Sequence, residues 1–169
     1  MELEQPFLVD KLDGFSPRIS ELVVMMSYVR ETTLYAVRNL SQVQLDARPD
    51  GAKNSIGMLL AHIAGVEAGY QAMTLENESF DWKAPALALG ELGQEHIRGN
   101  DLKYYTDELA RVRSKTLTAF AELGDDWLYE QTPFWNNKPA NNYFKWFHVF
   151  EDEINHRGQI RLLRRMLTR

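Results

Sequence analysis

The chain has 169 residues, 44% of them hydrophobic and 25% charged, the balance of a soluble globular protein and a length that suits a single domain over residues 1–169. With 24 acidic against 19 basic residues the formal net charge is −5, which argues against a general nucleic-acid binder. There is no cysteine and there are four histidines, so disulfides, zinc-finger clusters, iron–sulfur ligation and a cysteine nucleophile are excluded, and any imidazole chemistry draws on His62, His96, His148 and His156.

The first six residues are acidic and lack the basic and apolar regions of a signal peptide. The apolar runs Leu22 to Met26 and Ile56 to Ala61 fall far short of the ~20 residues that span a bilayer. The expectation is a cytoplasmic protein with no membrane contact. A first helix is predicted from Ser16-Pro17, because serine caps a helix and proline suits its first position. Ile19, Leu22, Val23, Met26, Val29, Leu34 and Val37 then recur at helical spacing, and the run ends near Asn39-Leu40. Leu45 to Gly51, punctuated by Pro49 and Gly51, reads as a loop around Asp50.

A second helix starts at Asn54 or Ser55, with Ile56, Leu59, Leu60, Ile63, Val66, Tyr70 and Met73 as its apolar stripe. The stretch 78–100 holds Pro85, Gly90, Gly93 and Gly99 and reads as a long connection, with a short helix within Leu87 to Ile97. A third helix follows Asn100-Asp101, carries Leu102, Tyr105, Leu109, Val112 and Phe120, and stops at Gly124. The segment 125–141 is irregular and aromatic. A fourth helix starts near Asn141 or Asn142 and ends with Arg157, Arg161, Arg164, Arg165 and Arg169, cations that favour the negative end of a helix dipole. No segment has a strong strand period. The pattern predicts an all-α, antiparallel four-helix bundle with long connections between helices two and three and between helices three and four.

The most informative polar pair lies on the fourth helix. Asp152 and His156 are four residues apart, about 40° in projection and roughly 6 Å along the axis, a separation at which both can reach one ion. Their face neighbours Val149, Ile160 and Leu163 are apolar, as are Met58, Leu59 and Val66 around His62 on the second helix. Facing each other across the bundle, His62, Asp152 and His156 would make a two-histidine, one-carboxylate set with open positions on a metal. The other reading of the same residues is a hydrogen-bonded core histidine beside an Asp–His structural couple. His148 lies one turn further back, too far from His156 to share an ion, and is an outer group; His96 reads as a solvent histidine. The aromatic residues Trp127, Phe134 and Trp135 either wall a pocket or plug the end of the bundle. Phe147, Phe150 and Ile154 form a second apolar set on the fourth helix that suits a subunit interface.

Asn54-Ser55-Ile56-Gly57 through His62, the stretch Thr132-Pro133-Phe134-Trp135 through Asn141, and Glu151-Asp152 through His156-Arg157-Gly158-Gln159 resemble motifs of the DinB-like (YfiT-like) four-helix-bundle family, over about residues 16–167. The resemblance implies a homodimeric bundle with a divalent metal, often nickel or zinc, bound by three histidines. Carried onto this chain, the ligands match His62 and His156, while Asp152 stands where a histidine is common. Members related to this family act as thiol S-transferases or isomerases that use bacillithiol, mycothiol or glutathione. The expected function is therefore a divalent-metal-dependent thiol S-transferase acting on small electrophiles with a small thiol cosubstrate. The alternatives are a non-catalytic or structurally metallated dimeric bundle with a stress-linked binding role, and a metal-dependent hydrolase.

Overall fold

The computed structural model describes residues 7–49 and 51–167; Asp50 and Arg169 lie outside them. Among the described residues six α-helices follow in order: α1 Pro17–Val37, α2 Gln42–Asp46, α3 Ile56–Thr74, α4 Gly90–His96, α5 Leu102–Ala121 and α6 Asn142–Leu167. The long helices α1, α3, α5 and α6 form the all-α bundle, with α6 packed on α1 and α3, and α5 packed on α3. The structure adds a short helix and a hairpin to the sequence expectation. The short α2 occupies part of the stretch before Gly51, closed by a capping box in which Ser41 and Gln44 satisfy each other's backbone N–H groups. Residues 131–141 contain a two-stranded antiparallel hairpin, β1 Gln131–Pro133 and β2 Pro139–Asn141, too short for a periodic signal to show in the sequence.

Serine and asparagine caps act where expected on α3 and α6: Ser55 Oγ accepts from the N–H of Met58, and Asn141 Oδ1 from that of Phe144. At α1 the cap comes from elsewhere. Ser16 makes no side-chain cap bond, and Asp125, after α5, accepts from the N–H groups of Arg18 and Ile19 at 2.9 and 3.4 Å.

Cross-helix contacts fix the directions. Glu21, Arg30 and Ala36 of α1 meet Tyr143, Glu153 and Arg164 of α6, so these helices run the same way. Glu67 and Gln71 of α3 meet Arg113 and Thr116 of α5, so these also share a direction. The two parallel pairs pack antiparallel to each other: Thr74 at the end of α3 meets Trp146 at the start of α6. The direction of α5 explains the length of the 75–101 connection. It must return the chain along the whole of α3, whose 19 residues span roughly 28 Å. It does so lying on α3: Phe80 and Trp82 pack at Gly69, the Leu87 carbonyl reaches His62, and Gly90 N–H reaches Asn54.

The apolar interior is divided. One cluster gathers Leu45, Ile56, Leu60, Tyr105, Leu109 and Ile160; the other gathers Leu22, Met26, Phe120, Trp127, Trp146 and Val149. Between them lies a layer of buried polar side chains that the sequence pattern did not reveal. Arg30 donates to Glu153 at 3.0 Å and to Glu67 at 2.9 Å, and Arg113 donates to Glu67 at 2.7 Å and lies 3.5 Å from Glu153. Two guanidinium groups thus balance two carboxylates. Arg30 also donates to the carbonyl of Leu109 and Arg113 to that of Met26, and Thr116 Oγ1 donates to Glu67 at 2.7 Å. Burial alone would push the Glu67 carboxyl up; Arg113 and Arg30 outweigh it and hold the group at about 2.

Candidate metal centre

The antiparallel crossing of α3 and α6 brings His62, Asp152 and His156 together, with one donor atom from each within 4.8 Å of the others. Asp152 Oδ1 lies 3.4 Å from His156 Nε2, Asp152 Oδ2 lies 4.0 Å from His62 Nε2, and the two imidazole centroids are 4.9 Å apart. Two ligands of a tetrahedral ion are ~3.4 Å apart for bonds of ~2.1 Å, so the trio is nearly at coordination spacing. His156 is buried; His62 and Asp152 are partly open.

His62 is held in one tautomer. Its Nδ1 sits 2.9 Å from the Leu87 carbonyl. A carbonyl can only accept, so Nδ1 carries the proton and Nε2 presents its lone pair toward Asp152. Burial lowers the His62 pKa, with His156 adding to the effect and the Leu87 carbonyl and Asp152 opposing it, which favours the neutral imidazole a metal needs. The long 75–101 connection thereby has a role at the site: it delivers the carbonyl that orients a candidate ligand. No side-chain motif could have announced it, because a backbone oxygen leaves no mark in the sequence.

Asp152 Oδ2 and His156 Nδ1 are buried and have no hydrogen-bond partner. Such atoms cost ~1–3 kcal/mol each, and both belong to this trio. The donor set and the unsatisfied Asp152 Oδ2, which faces His62 Nε2, fit a divalent cation.

A cavity of about 520 Å3 opens beside the trio, lined in part by His62, Asp152, Tyr70, Trp82, Trp135 and His148. His148 stands one turn from Asp152 as an outer group. Its Nδ1 lies 2.9 Å from Glu151 Oε2, and its ring lies edge-on to Trp135. Burial, then Asp152 and Glu151, push the Tyr70 phenol well above its ordinary value, so it stays protonated. His96 is exposed and lines a different cavity, with Ala64 and Tyr104. The aromatic residues of 125–141 divide between the two roles open to them. Phe134 and Trp135 wall the cavity, whereas Trp127 is buried against Phe120 and plugs the bundle end. Phe150 belongs to the core, so of the second apolar set on α6 only Phe147 and Ile154 are exposed. Among the described residues no helix is long and apolar enough to cross a membrane.

Residues 21–168 match the sequence model of the family described as mycothiol-S-transferase. Among solved structures, the chain is similar to a conserved protein of Enterococcus faecalis, with a TM-score of 0.69 over 86% of this chain and 94% of that one. At 15% identity, that likeness is one of fold. No curated protein matches the sequence.

Proposed function

The chain belongs to the mycothiol-S-transferase family, one of the DinB-like families, and from that premise we propose that it is a divalent-metal-dependent thiol S-transferase acting on small electrophiles. The observation that carries the reading is the trio His62, Asp152 and His156 with a buried, unpartnered carboxylate oxygen on Asp152 beside an open cavity. The thiol is a small-molecule cosubstrate, since the chain has no cysteine of its own. A divalent ion, nickel or zinc, would supply the positive charge that lowers a neighbouring thiol's pKa and makes it a thiolate at neutral pH.

The chain's own groups do the rest. His62 and His156 would hold the ion through neutral imidazoles, and Asp152 would offset part of its charge. The Leu87 carbonyl keeps His62 oriented. Glu151 accepts the Nδ1 proton of His148, which leaves Nε2 as the ring's proton acceptor, suited to take the proton that the thiol releases. Phe134 and Trp135 exclude water from one wall. Three protein donors beside a cavity leave positions for substrate, which favours catalysis over a closed structural site. The exposed Phe147 and Ile154 on α6 support a homodimer, and a cytoplasmic location goes with a diffusible thiol cosubstrate.

Elemental analysis of purified wild type beside a His62→Ala, His156→Ala double variant tests the centre: about one metal per chain is expected in the first and none in the second. Thiol-dependent consumption of a model electrophile is expected only with the loaded wild type. Equal metal content in both proteins, or no rate above the thiol–metal background with any thiol, would defeat the reading.

A further inference from the structure

Resting on the transferase reading, we propose that the electrophile is an uncharged molecule with a flat aromatic body, held against the Phe134–Trp135 wall with its reactive carbon toward the His62, Asp152 and His156 trio. The cavity beside the trio is aromatic on several sides. Phe134 and Trp135 stack nearly parallel, 5.1 Å apart at 13°. Tyr70 meets Trp82 edge-on at 5.6 Å and tilts toward Phe134 at 6.2 Å. Faces and edges are thus both presented, the two geometries in which aromatic rings attract each other. The indoles of Trp135 and Trp82 remain 66% and 45% exposed, an apolar surface at the cavity mouth that a ring would remove from water.

Charge decides the rest. Among the described residues that line the cavity none is lysine or arginine, and Asp152 is the one carboxylate. A divalent ion at the trio would carry two positive charges; Asp152 cancels one and the thiolate the other. Nothing is then left to pair with an anionic electrophile, and a buried unpaired anion is costly. In the reaction the thiolate sulfur attacks the electrophilic carbon, the C–S bond forms as the bond to the leaving group breaks, and the leaving group departs with its electron pair. The thiol's proton has gone to His148 Nε2 and from there to solvent.

The test uses the metal-loaded protein with mycothiol and three chlorides: benzyl chloride, 4-(chloromethyl)benzoate and chloroacetamide. Each kcat/KM is divided by the uncatalysed rate with the same thiol. Benzyl chloride is expected to lead the other two by at least tenfold. Trp135→Ala and Phe134→Ala are expected to erase that lead through KM, with metal content unchanged. Independently of turnover, calorimetry is expected to show 2-naphthalenemethanol binding to wild type and at least tenfold more weakly to Trp135→Ala. Transfer that favours the carboxylate or the amide as much as benzyl chloride overturns the inference and leaves the transferase reading standing; so does unchanged naphthyl binding in Trp135→Ala. Absence of transfer from every electrophile with mycothiol, bacillithiol and glutathione alike, with naphthyl binding intact and dependent on Trp135, overturns the transferase reading and supports the aromatic ligand class.

Discussion

At the scale of single residues, Asp152 is the position where small changes should tell most. A carboxylate is a harder ligand than an imidazole and discriminates less among first-row metals. Asp152→His is therefore expected to raise the preference for nickel or zinc over manganese by at least tenfold, read by competition with a chromophoric chelator; an unchanged ratio would place Asp152 outside the coordination sphere. Gly69 is a second telling residue. A Cβ there would stand 2.8 Å from the Phe80 ring and 2.9 Å from Trp82, closer than carbon atoms tolerate. Gly69→Ala is expected to cost about 1–3 kcal/mol of stability, measured by urea unfolding, and to weaken metal retention by disturbing the connection that carries the Leu87 carbonyl. The three candidate ligands were legible because helical spacing puts Asp152 and His156 on one face and apolar neighbours turn that face and His62 inward. What orients His62 was not, since the Leu87 carbonyl is main chain.

At the scale of elements, the polar layer between the two apolar clusters ties α1, α3, α5 and α6 together. Removing one partner of a buried pair leaves an uncompensated charge and costs ~3–5 kcal/mol. Glu67→Gln is expected to destabilise the bundle by about that amount, since Arg30 and Arg113 both lose their shared carboxylate. The pH dependence has a definite sign. Glu67 titrates at about 2 in the folded chain, below the ~4.3 of an unfolded glutamate. Its contribution is therefore fully present above pH ~4.3 and is lost as the pH falls toward about 2. Unfolding free energies measured from pH 6 to 2 should fall in the wild type, and fall less in Glu67→Gln. The helices themselves could be read from period and punctuation, but this layer could not. Arg30 and Glu153 are 123 residues apart, and a lone charge on an apolar helix reads as a solvent position until its partner is known. The Ser16 cap failed for the same reason: Asp125, more than a hundred residues away, supplies it.

At the scale of the whole molecule, two irregular segments, the 75–101 connection and the hairpin, meet beside the trio and lend the cavity Trp82, Pro133, Phe134 and Trp135, while the long helices α3 and α6 supply the candidate ligands and the rest of the lining. The exposed side of α6 should govern association: Phe147→Asp is expected to convert a dimer to monomer in sedimentation equilibrium, with metal content intact, and a dimer that survives the change would place the interface elsewhere. The charge-balanced layer has one further consequence, for descent. Arg30, Glu67, Arg113 and Glu153 share their bonds, so each route of one replacement at a time passes through a chain with a stranded ion. A lineage can keep all four or trade them in concert, and can rarely hold three. Across related chains these four columns should vary as a block, inherited like a single trait while the aromatic wall beside them diversifies.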